Sequence, residues 1–144
     1  MFSKSCEYGI KAMIFVAQKS KEEARVGVKE IAKGINAPEY FIAKILQELS
    51  RKNLVQSMKG PNGGFFLGKT DFQTSLAAIV KAIDGDSIYD DCVLGLKACS
   101  QKKPCPVHNE YKEIKMNLIT MLEKNTIGDF NDKLNSGNYF LKNN

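Results

Sequence analysis

Three cysteines and the only histidine of the chain fall close together, in the order Cys92-x6-Cys99-x5-Cys105-x2-His108. Thiolates and imidazole are the ligands of zinc and of iron–sulfur clusters, and three thiolates with one further donor complete either inventory. A zinc knuckle usually pairs its cysteines about two to four residues apart. This run has no such pair, and its wider spacing favours a loop wrapped round a larger inorganic core. Lys97, Lys102 and Lys103 lie among the thiols and favour their ionised, metal-binding form. Three is an odd number, so complete local disulfide pairing is excluded, and such clustering in an intracellular chain points to metal or redox chemistry. The fourth cysteine, Cys6, stands alone near the start, next to Glu7. One histidine and no tryptophan leave little for histidine-based catalysis, and the composition does not point to an enzyme.

The second chemical signal is charge. Residues 1–69 hold twelve Lys/Arg against six Asp/Glu, and residues 70–144 hold nine against ten. The whole excess of the +5 net charge therefore sits in the first half. A basic half beside a neutral one suggests contact with a polyanion, with nucleic acid the default candidate, although a solubilising lysine surface gives the same count.

The elements that must position these groups read as mainly α. Ile10, Met13, Ile14 and Ala17 recur at helical spacing and predict an amphipathic first helix over 5–19. Val28 to Lys33 is a short helical piece that Gly34 is expected to cap, and Pro38 suits the first turn of the next helix. That helix runs to Lys52 with Ile42, Ile45, Leu46 and Leu49 inside, and with Tyr40, Lys44, Gln47 and Arg51 on the polar face. Short helix, tight turn and polar-faced second helix make a helix-turn-helix, whose second helix fits the DNA major groove. Strand-like runs Val55–Lys59 and Phe65–Leu67 flank Gly60-Pro61-Asn62-Gly63-Gly64, a strong turn sequence. A hairpin here makes a winged helix, with Lys59 and Asn62 placed to meet the backbone or minor groove.

After the wing, Thr74 or Ser75 can cap a helix carrying Leu76, Ile79, Val80 and Ile83. Residues 86–106 then form a long loop holding the three clustered cysteines, and a loop of that length is usually functional. Beyond it Val107, Tyr111, Ile114, Leu118 and Met121 alternate at spacings of four and three, the seam of a helix that packs on a parallel partner. The expected division is a winged helix-turn-helix domain over 1–70, the cysteine loop and dimerisation helices over 71–130, and a flexible tail over 131–144. The longest unbroken apolar run, Ala12–Ala17, is far short of the ~20 residues of a membrane helix. With no secretory signal at the N-terminus, a cytoplasmic protein without membrane contact is expected.

Taken together, Lys-Gly-Pro-Asn-Gly-Gly-Phe-Phe-Leu-Gly (59–68), the helix Leu76–Ile83, the cysteine triplet and a long helix ending Thr126-Ile127-Gly128-Asp129-Phe130 resemble the Rrf-two family of bacterial winged helix-turn-helix regulators, of the cluster-binding IscR/NsrR type. The likeness covers residues 1–130. It implies a homodimer crossed through the long helix, bound to a roughly palindromic operator in double-stranded DNA, most simply as a repressor. It also implies one iron–sulfur cluster per subunit on Cys92, Cys99 and Cys105, with 2Fe–2S preferred and 4Fe–4S the alternative. The signal would be cluster status, redox state or nitric oxide. The first cysteine spacing, six residues between Cys92 and Cys99, is one longer than the family's usual one. For the fourth ligand the resemblance offers His108 and, from the partner subunit, Glu7 as equal candidates, with Cys6 behind them. Each also has a structural alternative: a helix cap for His108, a first-turn acid favoured by the helix dipole for Glu7, a small core residue for Cys6. Three rival functions stand beside this one: a winged-helix protein with a structural zinc, a redox protein whose basic half docks an acidic partner, and a cluster-free family member gated by a thiol or a small effector.

Overall fold

The computed structural model describes residues 1–142, so the last two residues of the tail expected over 131–144 lie outside the described part. Helix α1 (Lys4–Ser20) starts where the Ser3 side chain accepts the Cys6 backbone N–H, and it buries Ala12, Met13, Val16 and Ala17. Helices α2 (Val28–Ile35) and α3 (Glu39–Arg51) close on it through Ile31, Ile42, Leu46 and Leu49, all fully buried. This three-helix unit is the helix-turn-helix expected from the apolar periodicity.

Two local expectations need correction. Gly34 does not end α2: it lies inside the helix, and Asn36, with φ 54°, is the left-handed cap. Asparagine tolerates that conformation. The glycine has a different reason, since a Cβ at 34 would collide with the Phe15 ring. Pro38 stands one place earlier than expected, as the N-cap of α3, with extended backbone.

The wing consists of β1 (Gln56–Met58) and β2 (Gly64–Phe66), antiparallel, with Ser57 opposite Phe65. Its tip needs glycine. A Cβ at 63 would overlap the Met58 carbonyl, and Gly64 has φ 138° with Val26 backbone pressed against it. Val26 also exchanges two backbone hydrogen bonds with Phe65, 3.0 and 2.7 Å, which fastens the base of the wing to the α1–α2 connection.

A short 3₁₀ turn (Lys69–Gln73) leads to α4 (Leu76–Asp84), where Ser75 provides the cap by accepting the Ala78 N–H. The expected loop 86–106 begins with a one-turn helix, α5 (Ser87–Asp90). The long helix expected to end at Phe130 is two helices, α6 (His108–Lys124) and α7 (Ile127–Asn135). The break has a clear cause: Thr126 and Asp129 form a reciprocal capping box that starts a new helix. Backbone bonds from Leu76 to Asn125 and from Ile127 to Thr74 then pin the break to the start of α4. Helix α7 packs on α1 and extends past residue 130 to Asn135.

Candidate metal centre and nucleic-acid interface

A charged residue of α6 ties down the start of the cysteine loop. Lys115 is buried, and its ammonium donates to the Tyr89 and Asp91 carbonyls, both at 3.0 Å. It also lies 5.3 Å from the Tyr111 ring centroid. A buried charge is costly unless paired or hydrogen-bonded, so Lys115 holds the entrance of the loop in place only while both carbonyls stay there. The signal for it was present in the sequence: 111, 115, 118 and 122 share one helical face, and lysine is the charged member of that row.

Within the loop the donors are paired. Cys92 Sγ lies 4.0 Å from Cys105 Sγ, and Cys99 Sγ lies 3.4 Å from His108 Nδ1. The backbone amides of Leu94 and then Leu96 hold the Cys92 thiol below its ordinary range; Cys105 and the Lys115 charge add to this, against the opposing effect of burial. His108 is buried at the first position of α6, and its Nε2 has no hydrogen-bond partner among the described residues. The two pairs do not converge on one centre: among the described residues no group of three His, Cys, Asp or Glu is arranged to hold a metal ion. The donor types nevertheless fit a cluster or zinc inventory, and the orphaned imidazole nitrogen is a polar group in want of a partner.

The other two candidates lie elsewhere in the chain. Cys6 is fully buried with Leu76, Val80 and Leu122, and burial pushes its thiol up to about 12, with Asp84 adding to the rise. Glu7 is part-exposed on the first turn of α1 and pairs with Lys4 at 3.2 Å.

The residues expected to face DNA are all exposed, on α3 and on the wing. Tyr40, Lys44, Gln47 and Arg51 are exposed along α3, and the Lys44 ammonium sits 5.4 Å over the Tyr40 ring. Gln47 and Arg51 border a groove of about 410 Å³ whose far side is Ser57 and Phe65 of the wing. Lys59 and Asn62 are exposed at the hairpin. Sequence reasoning missed Arg25, whose guanidinium lies 5.4 Å from the Phe66 ring and adds a cation beside the wing. Its contact depends on the Val26 bridge, which no short-range pattern encodes.

The fold and this surface define a winged-helix DNA-binding protein. The Rrf2 profile, described as an iron-dependent transcriptional regulator, matches residues 2–133, and the chain belongs to that family of transcription regulators. A protein of Aquifex aeolicus, whose assignment as an HTH-type transcriptional regulator is itself provisional, is 33% identical with 90% of each chain covered. The HTH-type transcriptional regulator IscR of Cronobacter sakazakii is 26% identical, over 85% of this chain and 74% of that one. Among solved structures, CymR, the global cysteine regulator of B. subtilis, superposes with TM-score 0.77 at 21% identity, covering 92% of this chain and 97% of that one. These relatives are regulators rather than enzymes, in keeping with the composition. Among the described residues no helix is long and apolar enough to cross a membrane.

Proposed function

We propose that the chain is a cytoplasmic homodimeric repressor whose grip on a palindromic operator is set by an iron–sulfur cluster on Cys92, Cys99 and Cys105, with His108 as the fourth ligand. The observation that carries this reading is the donor set of the loop that runs into α6: three thiols with a buried imidazole, His108, whose Nε2 has no partner among the described residues and whose Nδ1 lies 3.4 Å from Cys99 Sγ. Glu7 of the partner subunit is the competing fourth donor; within its own chain Glu7 is engaged by Lys4. When bound, a cluster supplies a redox- and nitric-oxide-reactive centre that three thiolates and a weaker fourth ligand leave labile.

The protein's own residues provide the connection to DNA. The loop is clamped to α6 by Lys115, and α6 packs on α4. Helix α4 reaches both ends of the reading head: the Lys52 ammonium after α3 donates to the Ala82 carbonyl, and the Asp84 carboxylate accepts from the Ser3 backbone N–H at 2.9 Å and from its hydroxyl. A shift of the loop thus reaches α1 and α3 through rigid elements. In a dimer, half-sites lie at fixed helical spacing, so a small rotation between subunits weakens both contacts together. A coupling of ~1–3 kcal/mol is enough to make such a switch. Support for the dimer comes from α6, which leaves Ile114 and Met121 of the predicted seam 59% and 41% exposed.

Anaerobic purification, an absorbance spectrum and quantitation of iron, sulfide and zinc test the reading. Visible bands with iron and sulfide in comparable amounts are expected. A colourless protein with about one zinc per chain would replace the sensor by a structural metal site. A second reading, gating by thiol oxidation without a cluster, is favoured by the Cys92–Cys105 approach and the depressed Cys92 thiol. There hydrogen peroxide would take two electrons and two protons from the two thiols, giving one disulfide and two waters, and metal-free protein would still change its DNA affinity.

A further inference from the structure

Two hollows adjoin along α1, neither lined by a cysteine, and Lys11, Ile35, Leu141 and Lys142 border both. The first, about 340 Å³, is bordered by Phe15, Leu134, Tyr139 and Phe140, the last two largely exposed. Gly34 also lines it; with no Cβ there, the Phe15 ring lies directly on α2 instead of filling the space. The second, about 660 Å³, is polar: Lys4 and Lys33 join Lys11 and Lys142, with Tyr8 and Asn36 between them. Four lysines thus line the second hollow, and among the described residues no carboxylate lines either one. Lys4 is occupied by Glu7, whereas Lys11 and Lys33 have no ion pair among the described residues.

We propose that the joined hollows bind a small amphipathic anion, an aromatic or aliphatic body ending in a carboxylate, sulfonate or phosphate. The apolar half offers a body-sized space lined by three aromatic rings and aliphatic side chains, and a few convergent polar groups at one end are the usual make-up of a small-molecule site. The lysines give the anion charge-assisted hydrogen bonds, with the Tyr8 hydroxyl and Asn36 amide as further donors. A DNA backbone would use the same lysines but leave Phe15, Leu134 and Phe140 uncovered, so the combination favours the small ligand. The site lies between the helix-turn-helix and the segment after α7, and a bound anion would tie the two together. This is a second input to the regulator, independent of what the cysteines hold.

The test is a fluorescence titration of the full chain with 8-anilinonaphthalene-1-sulfonate. Saturation at one dye per chain is expected, with binding about tenfold weaker for uncharged N-phenyl-1-naphthylamine and for the Lys11→Gln/Lys33→Gln variant. The solvent-exposed Phe140→Ser change should weaken both dyes while leaving thermal unfolding unaltered. Equal affinity for the charged and uncharged dyes, or unchanged binding in the double variant, would overturn the proposal. Displacement of the dye by duplex DNA of arbitrary sequence would also overturn it, and would assign these lysines to phosphate contact.

Discussion

The winged helix and the cysteine region solve the problem of stability in opposite ways. In the first, Met13, Ile31, Ile42, Leu46, Leu49 and Val55 are all nearly or fully sealed from solvent, and the functional side chains stand outside them on α3 and the wing. In the second, the buried members of α6 include Lys115 and His108, while Val93, Leu94, Leu96, Ile114 and Met116 are more than half exposed. One half is complete within a single chain. The other spends its apolar residues on its surface and keeps polar ones inside, which is how a region looks when its partners are another subunit and a bound group. On the proposed function, the sealed half would serve as the reading head and the region behind it as the part that responds.

The strongest way to break this contrast is to damage the sealed half. Leu46→Ala should cost about 2–5 kcal/mol, the range for a cavity in a packed core, and abolish DNA binding through unfolding, as read by thermal denaturation. Ile114→Glu should do the reverse: folding free energy per chain within about 0.5 kcal/mol, as for an exposed site, but a halved mass in sedimentation and lost affinity for a two-half-site duplex. Next in size, Lys115→Met should leave the Tyr89 and Asp91 carbonyls unpartnered at about 1–3 kcal/mol. Amide exchange should accelerate over residues 86–106 and α6 but not in α1–α3.

A smaller effect concerns pH. Cys6 keeps its proton in the folded state to about 12, against 9.0 unfolded, so its contribution is complete below pH 9 and is lost as pH rises from 9 towards 12. Cys6→Ala should flatten that part of the stability-versus-pH curve. Smallest of all, Lys59→Ala should lower the salt slope of DNA binding by about one, uniformly across sequences, whereas Gln47→Ala should relax base preference with the slope unchanged.

The same contrast explains what the sequence made legible. The helix-turn-helix followed from Ile42, Ile45, Leu46 and Leu49, because a stripe that packs on its own chain has the period of its own helix. Reading α6 by the same rule selected Ile114 and Met121, which a single chain leaves in solvent, and passed over Lys115, whose partners are carbonyls some two dozen residues away. The split at Asn125 has a sequence signal of its own, since the four-three apolar series ends at Met121 and falls next on Asn125 and Gly128, while Thr126 and Asp129 have the spacing of a capping box. Gly34 suggests a helix stop on local grounds, although its cause is the Phe15 ring of another helix. The cysteine spacing announced donors, and no spacing could announce that they fall into two pairs.

The Val26–Phe65 bridge bears on what the protein reads in DNA beyond base identity. With the wing fastened at its base, the span between its tip and α3 behaves as a ruler of set length. A duplex must then bring its own groove width and curvature to the match. Two operators with identical contacted bases but different intervening steps are expected to bind unequally, because the stiffer one has to be deformed to meet the ruler.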